Sequence, residues 1–224
     1  MPVPWYENDR LWEVTESNIF SPERCEAAKG EIDQLETLLG SPVTGKVLDL
    51  CCGVGRHSLE LARRGCSVCA VDRTEAYLER ARTQAAAEKQ SIEFVQCDMR
   101  QFRRENAFDL AINLFTSFGY FDDPNDDRLV AENLLHSLKP GGRVVIDLVG
   151  KEILARIYLE RDWHRLEDGR AMLAERKVCR DWTWMENKWT IVGESSCEEF
   201  EFSHRIYSAA ELSMLLSGVG FEAI

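Results

Sequence analysis

The chain has 224 residues, a formal net charge of −12 and 45% hydrophobic residues. That length fits one α/β domain with room for an inserted subdomain, and the acidic balance argues against holding DNA or RNA, because phosphate contacts dominate that affinity. No signal peptide and no apolar stretch near 18 residues is present, so a cytoplasmic protein handling a small molecule, with no membrane partner, is expected.

Residues 1–20 carry Trp5, Tyr6, Trp12 and Phe20 among acids and read as an arm packed over something. Ser21-Pro22-Glu23 starts a helix with a cap, a first-turn proline and an acid. Ala28, Ile32, Leu35 and Leu39 continue it, and Gly40 and Pro42 end it. Arg24 in its first turn is either solvated or within reach of a ligand carboxylate.

Residues 47–56 read Val-Leu-Asp-Leu-Cys-Cys-Gly-Val-Gly-Arg. Val47, Leu48 and Leu50 suit a buried strand. Gly53 and Gly55 let the backbone approach a ligand, and the helix that follows aims its free N–H groups at the same place. A second strand ends in Val71-Asp72, where an acid typically grips a ribose diol. Arg73 follows it directly. Thr74 is placed to cap a helix holding Tyr77, Leu78, Ala81 and Ala85. A third strand spans Ile92–Gln96, and the Asp98-Met99 pair after it can bond an adenine amino group and cover the ring. The fourth strand is Phe108–Asn113. A helix with Leu129, Val130, Leu134, Leu135 and Leu138 follows, then a helix stop and tight turn at Lys139-Pro140-Gly141-Gly142. Residues 143–148 form the fifth strand. This alternation predicts a doubly wound parallel sheet whose crevice lies at the carboxyl strand ends.

Two residues choose the ligand. A dinucleotide fingerprint wants a third glycine three residues after Gly55, and that position is Ser58. Asp49 at the mouth of the turn would repel a pyrophosphate in a partly dry site. It suits a ligand carrying an ammonium and a sulfonium and no phosphate, which describes S-adenosylmethionine.

Asp49-Leu50-Cys51-Cys52-Gly53-Val54-Gly55-Arg56-His57 and Asn113-Leu114-Phe115-Thr116-Ser117-Phe118-Gly119-Tyr120-Phe121 carry a closer likeness. The chain resembles a class I S-adenosylmethionine-dependent methyltransferase, of a bacterial small-molecule-type group, from about Trp5 to its end. The one departure is Cys51 where that family has the first glycine of the turn. The resemblance implies a Rossmann-like, seven-stranded-type, mostly parallel sheet and S-adenosylmethionine as cofactor. It places an N-terminal tyrosine, here Tyr6, over the cofactor; the other reading of these aromatics is a covered sheet edge. The cofactor-binding set is then Tyr6, Asp49, Cys51, Gly53, Gly55, Asp72, Arg73, Asp98, Met99, Asn113, Leu114, Phe115 and Phe118.

After Gly150 the texture changes. A short helix over 151–159 is followed by antiparallel strands in 162–207, forming a lid or a sheet extension. Trp182 and Trp184 share a strand side there and offer a homodimer face. Ser208-Ala209-Ala210-Glu211 is a capping box before a helix with Leu212, Leu215 and Leu216. Gly218-Val219-Gly220-Phe221 is read as opening a sixth strand. Residues 1–150 thus form the arm and cofactor core, 151–207 the lid, and 208–224 the return to the core. Related enzymes continue with a final antiparallel strand, so a trimmed or incomplete copy is expected.

Methyl transfer from a sulfonium needs alignment more than covalent help, and a base only when the nucleophile arrives protonated. The proline-rich tetrapeptide of DNA amino-methylating enzymes is absent after the fourth strand, which argues against nucleobases. Phe115, Phe118 and Tyr120 either wall the site, touching the sulfonium by cation–π attraction, or pack in the core. His57 reads as a supporting group and His164 as exposed. His204-Arg205-Ile206-Tyr207 either orients the substrate and takes a proton or ties the lid to the last helix. The catalytic candidates are His204, Tyr207 and Tyr120. The eight cysteines read as reduced and small. Cys66-Ser67-Val68-Cys69 has a metal-type spacing but lies in a strand without a second pair, so no metal is expected. The acceptor is taken as a small molecule, with a mild preference for an amine. The alternatives are a nicotinamide oxidoreductase and a non-catalytic module that binds the cofactor and acts on a protein partner through its lid.

Overall fold

The computed structural model describes residues 3–224. Its elements in chain order are a single 3-10 turn Trp5–Glu7, α1 Asp9–Ile19, α2 Pro22–Leu39, β1 Lys46–Leu50, α3 Arg56–Arg63, β2 Ser67–Asp72, α4 Glu75–Ala87, β3 Ile92–Gln96, β4 Phe108–Asn113, α5 Pro124–Ser137, β5 Leu138–Ile146, α6 Lys151–Ile157, β6 Arg161–Arg165, β7 Ala171–Cys179, β8 Trp184–Val192, β9 Cys197–Arg205 and α7 Ala209–Val219.

Five strands pair in parallel in the order β3-β2-β1-β4-β5. The order reverses between β1 and β4, which opens a crevice at their carboxyl ends. Val47, Leu48, Cys69, Val71, Ala111 and Ile112 are almost wholly buried, as expected of strands covered by helices on both faces. The remaining four strands form a separate antiparallel sheet, β6-β7-β8-β9. Its inner face puts Met172, Ala174, Ile191 and Phe200 against Leu11 and Val14 of α1. The lid sheet and the N-terminal helix therefore share one apolar core.

Several sequence expectations hold in detail. Ser21 caps α2 with its hydroxyl accepting from Arg24 N, Pro22 opens that helix, and Gly40 closes it at φ +69°. The capping box of α7 is complete, with Glu211 N donating to Ser208 Oγ and Ser208 N to Glu211 Oε2. The arm packs as expected and contains a helix, α1, capped by Asn8. Three expectations need correction. The Lys139–Gly142 turn is absorbed as an irregularity in β5, whose partner register shifts between Phe108 and Leu110. No sixth strand forms: α7 runs through Gly218 and Val219, Arg128 donates to Gly218 O, and Phe221 packs into the main core. The parallel sheet is therefore five-stranded. Finally, Trp184 is buried and Trp182 sits in the β7–β8 turn at φ +64°, so the two do not form a shared outer face.

Candidate functional site

The carboxyl ends of β1, β2 and β4 open into a cavity of about 340 Å³, roofed by the N-terminal arm and the inner face of the lid sheet. Its floor is the β1–α3 turn. Cys51 adopts φ +64° and Gly53 φ +56°, so the position where the resembled family has glycine keeps a glycine-like backbone. This is a strained arrangement for cysteine and occurs at the ligand end of the strand. A Cβ on Gly53 would lie 2.4 Å from the Phe20 ring, so the turn and the arm approach as closely as glycine permits.

Asp72 anchors the turn. Its Oδ2 accepts from Gly53 N at 2.8 Å and its Oδ1 from Thr74 N at 2.8 Å. Thr74 itself makes no side-chain cap; the Asp72 carboxylate replaces it. Burial pushes the Asp72 carboxyl above its ordinary range, and the two backbone N–H donors pull it partly back. Asp49 is buried at the tip of β1, with Ser58 Oγ donating to its Oδ2 at 2.5 Å. Burial also raises the Asp49 carboxyl. Ser58, notable in the sequence only as a missing glycine, thus serves as the hydrogen-bond partner of the acid at the turn.

On the β3 side, Asp98 lines the cavity with Cys97 and Met99. Arg100 holds the Asp98 carboxylate at 2.6 Å and keeps it below its ordinary range against the opposing effect of burial. The same guanidinium lies 4.4 Å from the Phe121 ring centroid and 5.4 Å from that of Tyr6. Tyr6 is thereby seated beside Asp98, and Arg73 fixes the arm through Glu7 O at 2.9 Å and Asp9 at 3.1 Å. After β4, Phe115 and Thr116 both take positive φ, at 59° and 57°, held by Asp147 Oδ2 and the Asp147 carbonyl. Arg56 stacks 3.9 Å over the Phe115 ring, and Glu31 accepts from both Arg56 and His57. His57 is thus tied to a carboxylate at the cavity wall.

The lid contributes an aromatic roof. Phe202 and His204, on one face of β9, and Trp189 from β8 line the cavity together with Trp5, Trp12 and Tyr120. The Trp5 ring lies 4.7 Å from Tyr120 and 5.4 Å from Phe202. Among the described residues the His204 ring has one side-chain hydrogen-bond partner, Asn187 Nδ2, at 3.5 Å from its Nδ1. Burial lowers its pKa to about 4, so the ring is neutral at pH 7.

Of the sequence candidates, Tyr6, Asp49, Cys51, Gly53, Asp72, Arg73, Asp98, Met99, Leu114, Phe115, Tyr120 and His204 line this cavity. Four do not. Gly55 starts α3 at φ +74°, where a Cβ would meet Ala81 at 3.0 Å. Asn113 is fully buried, donating to Leu50 O. Phe118 is core, packed on Tyr207. Tyr207 turns its hydroxyl away to Asp127 Oδ2 at 2.7 Å. The sequence reading did not assign Trp5, Trp12, Thr15, Trp189 or Phe202 to the site. Their signal was only a cluster of aromatics at two distant places in the chain, which the lid–arm packing brings together. His164 is exposed and bonds Asn18.

The five-stranded sheet, its switch point and the appended antiparallel sheet define the Rossmann-like methyltransferase fold. Residues 47–142 match the family described as Methyltransferase domain. The chain is 31% identical over 118 residues to a putative methyltransferase, YqeM, of Bacillus subtilis (strain 168), covering 52% of this chain and 47% of that protein. It spans about half the length of the curated relatives it matches. Among solved structures it is similar to an S-adenosylmethionine-dependent methyltransferase from Clostridium acetobutylicum ATCC 824, with TM-score 0.73, 17% identity and coverage of 94% and 86% of the two chains. It is also similar to CalS10, an amino pentose methyltransferase from Micromonospora echinaspora solved with S-adenosylmethionine, with TM-score 0.65, 20% identity and coverage of 94% and 88%. At these identities the likeness is one of fold.

Proposed function

We propose that this protein is an S-adenosylmethionine-dependent methyltransferase acting on a small molecule, with an amine as the preferred acceptor. One observation carries the reading: three carboxylates, Asp49, Asp72 and Asp98, line the cavity in sequence along the strand tips. Such a wall repels a pyrophosphate and suits a cationic donor with a ribose diol. Two of the three cavity arginines are already paired, Arg56 with Glu31 and Arg73 with Asp9. Arg24 has no carboxylate partner among the described residues and is placed to take the single carboxylate of the donor. The match of residues 47–142 and the amino-sugar activity named for CalS10 support the class and the amine preference.

In this reading Asp72 takes the ribose hydroxyls, Asp98 and Met99 the adenine, and Tyr6 and the arm close over the donor. Residues 151–207 act as the lid. The donor supplies an activated methyl group. The acceptor nitrogen forms the new N–C bond as the C–S bond breaks, and neutral S-adenosylhomocysteine leaves. His204, neutral at pH 7, accepts a hydrogen bond from the acceptor nitrogen and passes the proton lost from it on to solvent, and Tyr120 with the aromatic roof positions the acceptor. Titration calorimetry is expected to show S-adenosylmethionine binding and no heat from NADH. The reverse result would replace this reading with a nicotinamide enzyme.

The outer face of the lid sheet is assigned to pairing of two copies. Trp163, 66% exposed, stands there beside its register partner Leu173. Light scattering is expected to give twice the chain mass for the wild type and the chain mass for Trp163→Glu. A wild-type monomer at micromolar concentration would remove this assignment.

A further inference from the structure

His204 and Arg205 are neighbours on β9 and point to opposite faces of the lid sheet. His204 faces the cavity. Arg205 enters a separate cluster behind it, centred on Asp127 of α5, which is 0% exposed. Asp127 Oδ2 accepts from Tyr207 Oη at 2.7 Å and from Arg205 Nε at 3.2 Å. Arg205 also donates to the carbonyls of Phe121 and Asp122, and its backbone N–H to Gly119 O at 2.7 Å. Gly119, at φ +96°, disfavours any side chain, and a Cβ there would crowd Arg205 O at 3.0 Å. The end of the lid is therefore moored to the loop that carries Tyr120, and Asp127 holds the mooring.

The second oxygen of this carboxylate, Oδ1, is buried with no hydrogen-bond partner. A buried ionic group left half-satisfied is a poor source of stability, since removing an ion pair for apolar groups is often neutral or favourable. Position is the better account of its presence. Resting on the methyltransferase reading above, we propose that Asp127 is a positioning residue for methyl transfer, which by holding Arg205 and Tyr207 fixes His204 against the acceptor and releases it when protonated. The charged and titratable groups around it are Arg205 and Tyr207 from the lid end, its neighbour Asp126, which pairs with Arg100, and Glu211 of α7 near Tyr207. Asp122 of the moored loop pairs with Arg180 of the β7–β8 turn. Burial raises the Asp127 carboxyl to about 6, against the opposing pull of Tyr207 and Arg205. The release therefore falls in a mildly acidic range.

The test reads His204 and needs no acceptor. The protein is labelled with ¹³C at histidine Cε1 and titrated by NMR, free and with S-adenosylhomocysteine, with the His204 signal assigned by His204→Gln. The wild type is expected to show a second inflection near pH 6 in the His204 signal, in addition to the titration of the ring itself near 4. Asp127→Asn should abolish the inflection near 6. Tyr207→Phe removes a bond that favours the ionised carboxylate and should move the inflection to higher pH. A His204 signal with no inflection near 6 overturns the proposal, as does one that survives Asp127→Asn. Should Asp127→Asn fail to fold, an unmoved inflection in Tyr207→Phe has the same force. Failure to bind S-adenosylhomocysteine would count against the cofactor reading alone, because the titration of the free protein still reads the mooring.

Discussion

Asp72→Ala should weaken S-adenosylmethionine binding roughly 5- to 150-fold, the equivalent of about 1–3 kcal/mol for a lost charge-assisted hydrogen bond in a buried site. The loss has two sources. The ribose loses its acceptor, and the turn loses the carboxylate that ties Gly53 N to Thr74 N across the tips of β1 and β2. Asp72→Asn keeps the shape and one acceptor oxygen, so it should fall between wild type and alanine. Because burial raises this carboxyl, binding should weaken with falling pH earlier than an ordinary aspartate would predict. Titration calorimetry at pH 7.5 and at mildly acidic pH measures both effects. Equal affinity of wild type and Asp72→Ala would end the ribose assignment.

His204→Ala should lower turnover on the true acceptor by roughly 100-fold or more, the usual scale of a lost general base, with little change in S-adenosylmethionine affinity. The ring lines the cavity from the antiparallel sheet rather than from the strand tips that carry the carboxylates, and its low pKa keeps it neutral at pH 7 with a ring nitrogen free to accept a hydrogen bond from the acceptor. Steady-state kinetics separates the cases: a fall confined to the KM of the donor would place His204 in cofactor binding. The same residue affects stability with a definite sign. Its folded pKa of about 4 lies below the usual 6.5, so the unfolded chain binds more protons between these values, and stability falls as pH drops through that window. Asp127 acts in the opposite sense. Its folded value of about 6 lies above the ordinary one of 3.8, so its contribution becomes more favourable as pH falls through 6.

The parallel sheet was legible in the sequence because β1, β2 and β4 are short, mostly apolar runs with a polar residue at or next to their carboxyl ends, Asp49, Asp72 and Asn113, and buried strands need little else. Helix α1 was not. Its inward residues Leu11, Val14 and Thr15 are few among charged neighbours, and the helix gains its apolar partner only from Met172, Ile191 and Phe200 of the lid. The expected sixth strand failed for a related reason. Segment 218–221 was read as a strand, but so short a run cannot separate a helix end from a strand by periodicity, and packing of α7 on α5 makes it a helix end. Tyr207 illustrates the same limit in the site. A phenol three residues from His204 looked catalytic in the chain, yet it faces Asp127, which stands 80 residues earlier.

What the chain order of residues determined alone was the floor of the site: Asp49, the Cys51–Gly55 turn, Asp72 and Asp98 are local features of strand ends, so their spacing carries their geometry. The roof was decided only by tertiary packing. Trp5 and Trp12 from the arm meet Trp189, Phe202 and His204 from the lid because the apolar faces of the arm and of the antiparallel sheet bury one another. Contacts between segments so far apart leave no periodic trace in either one.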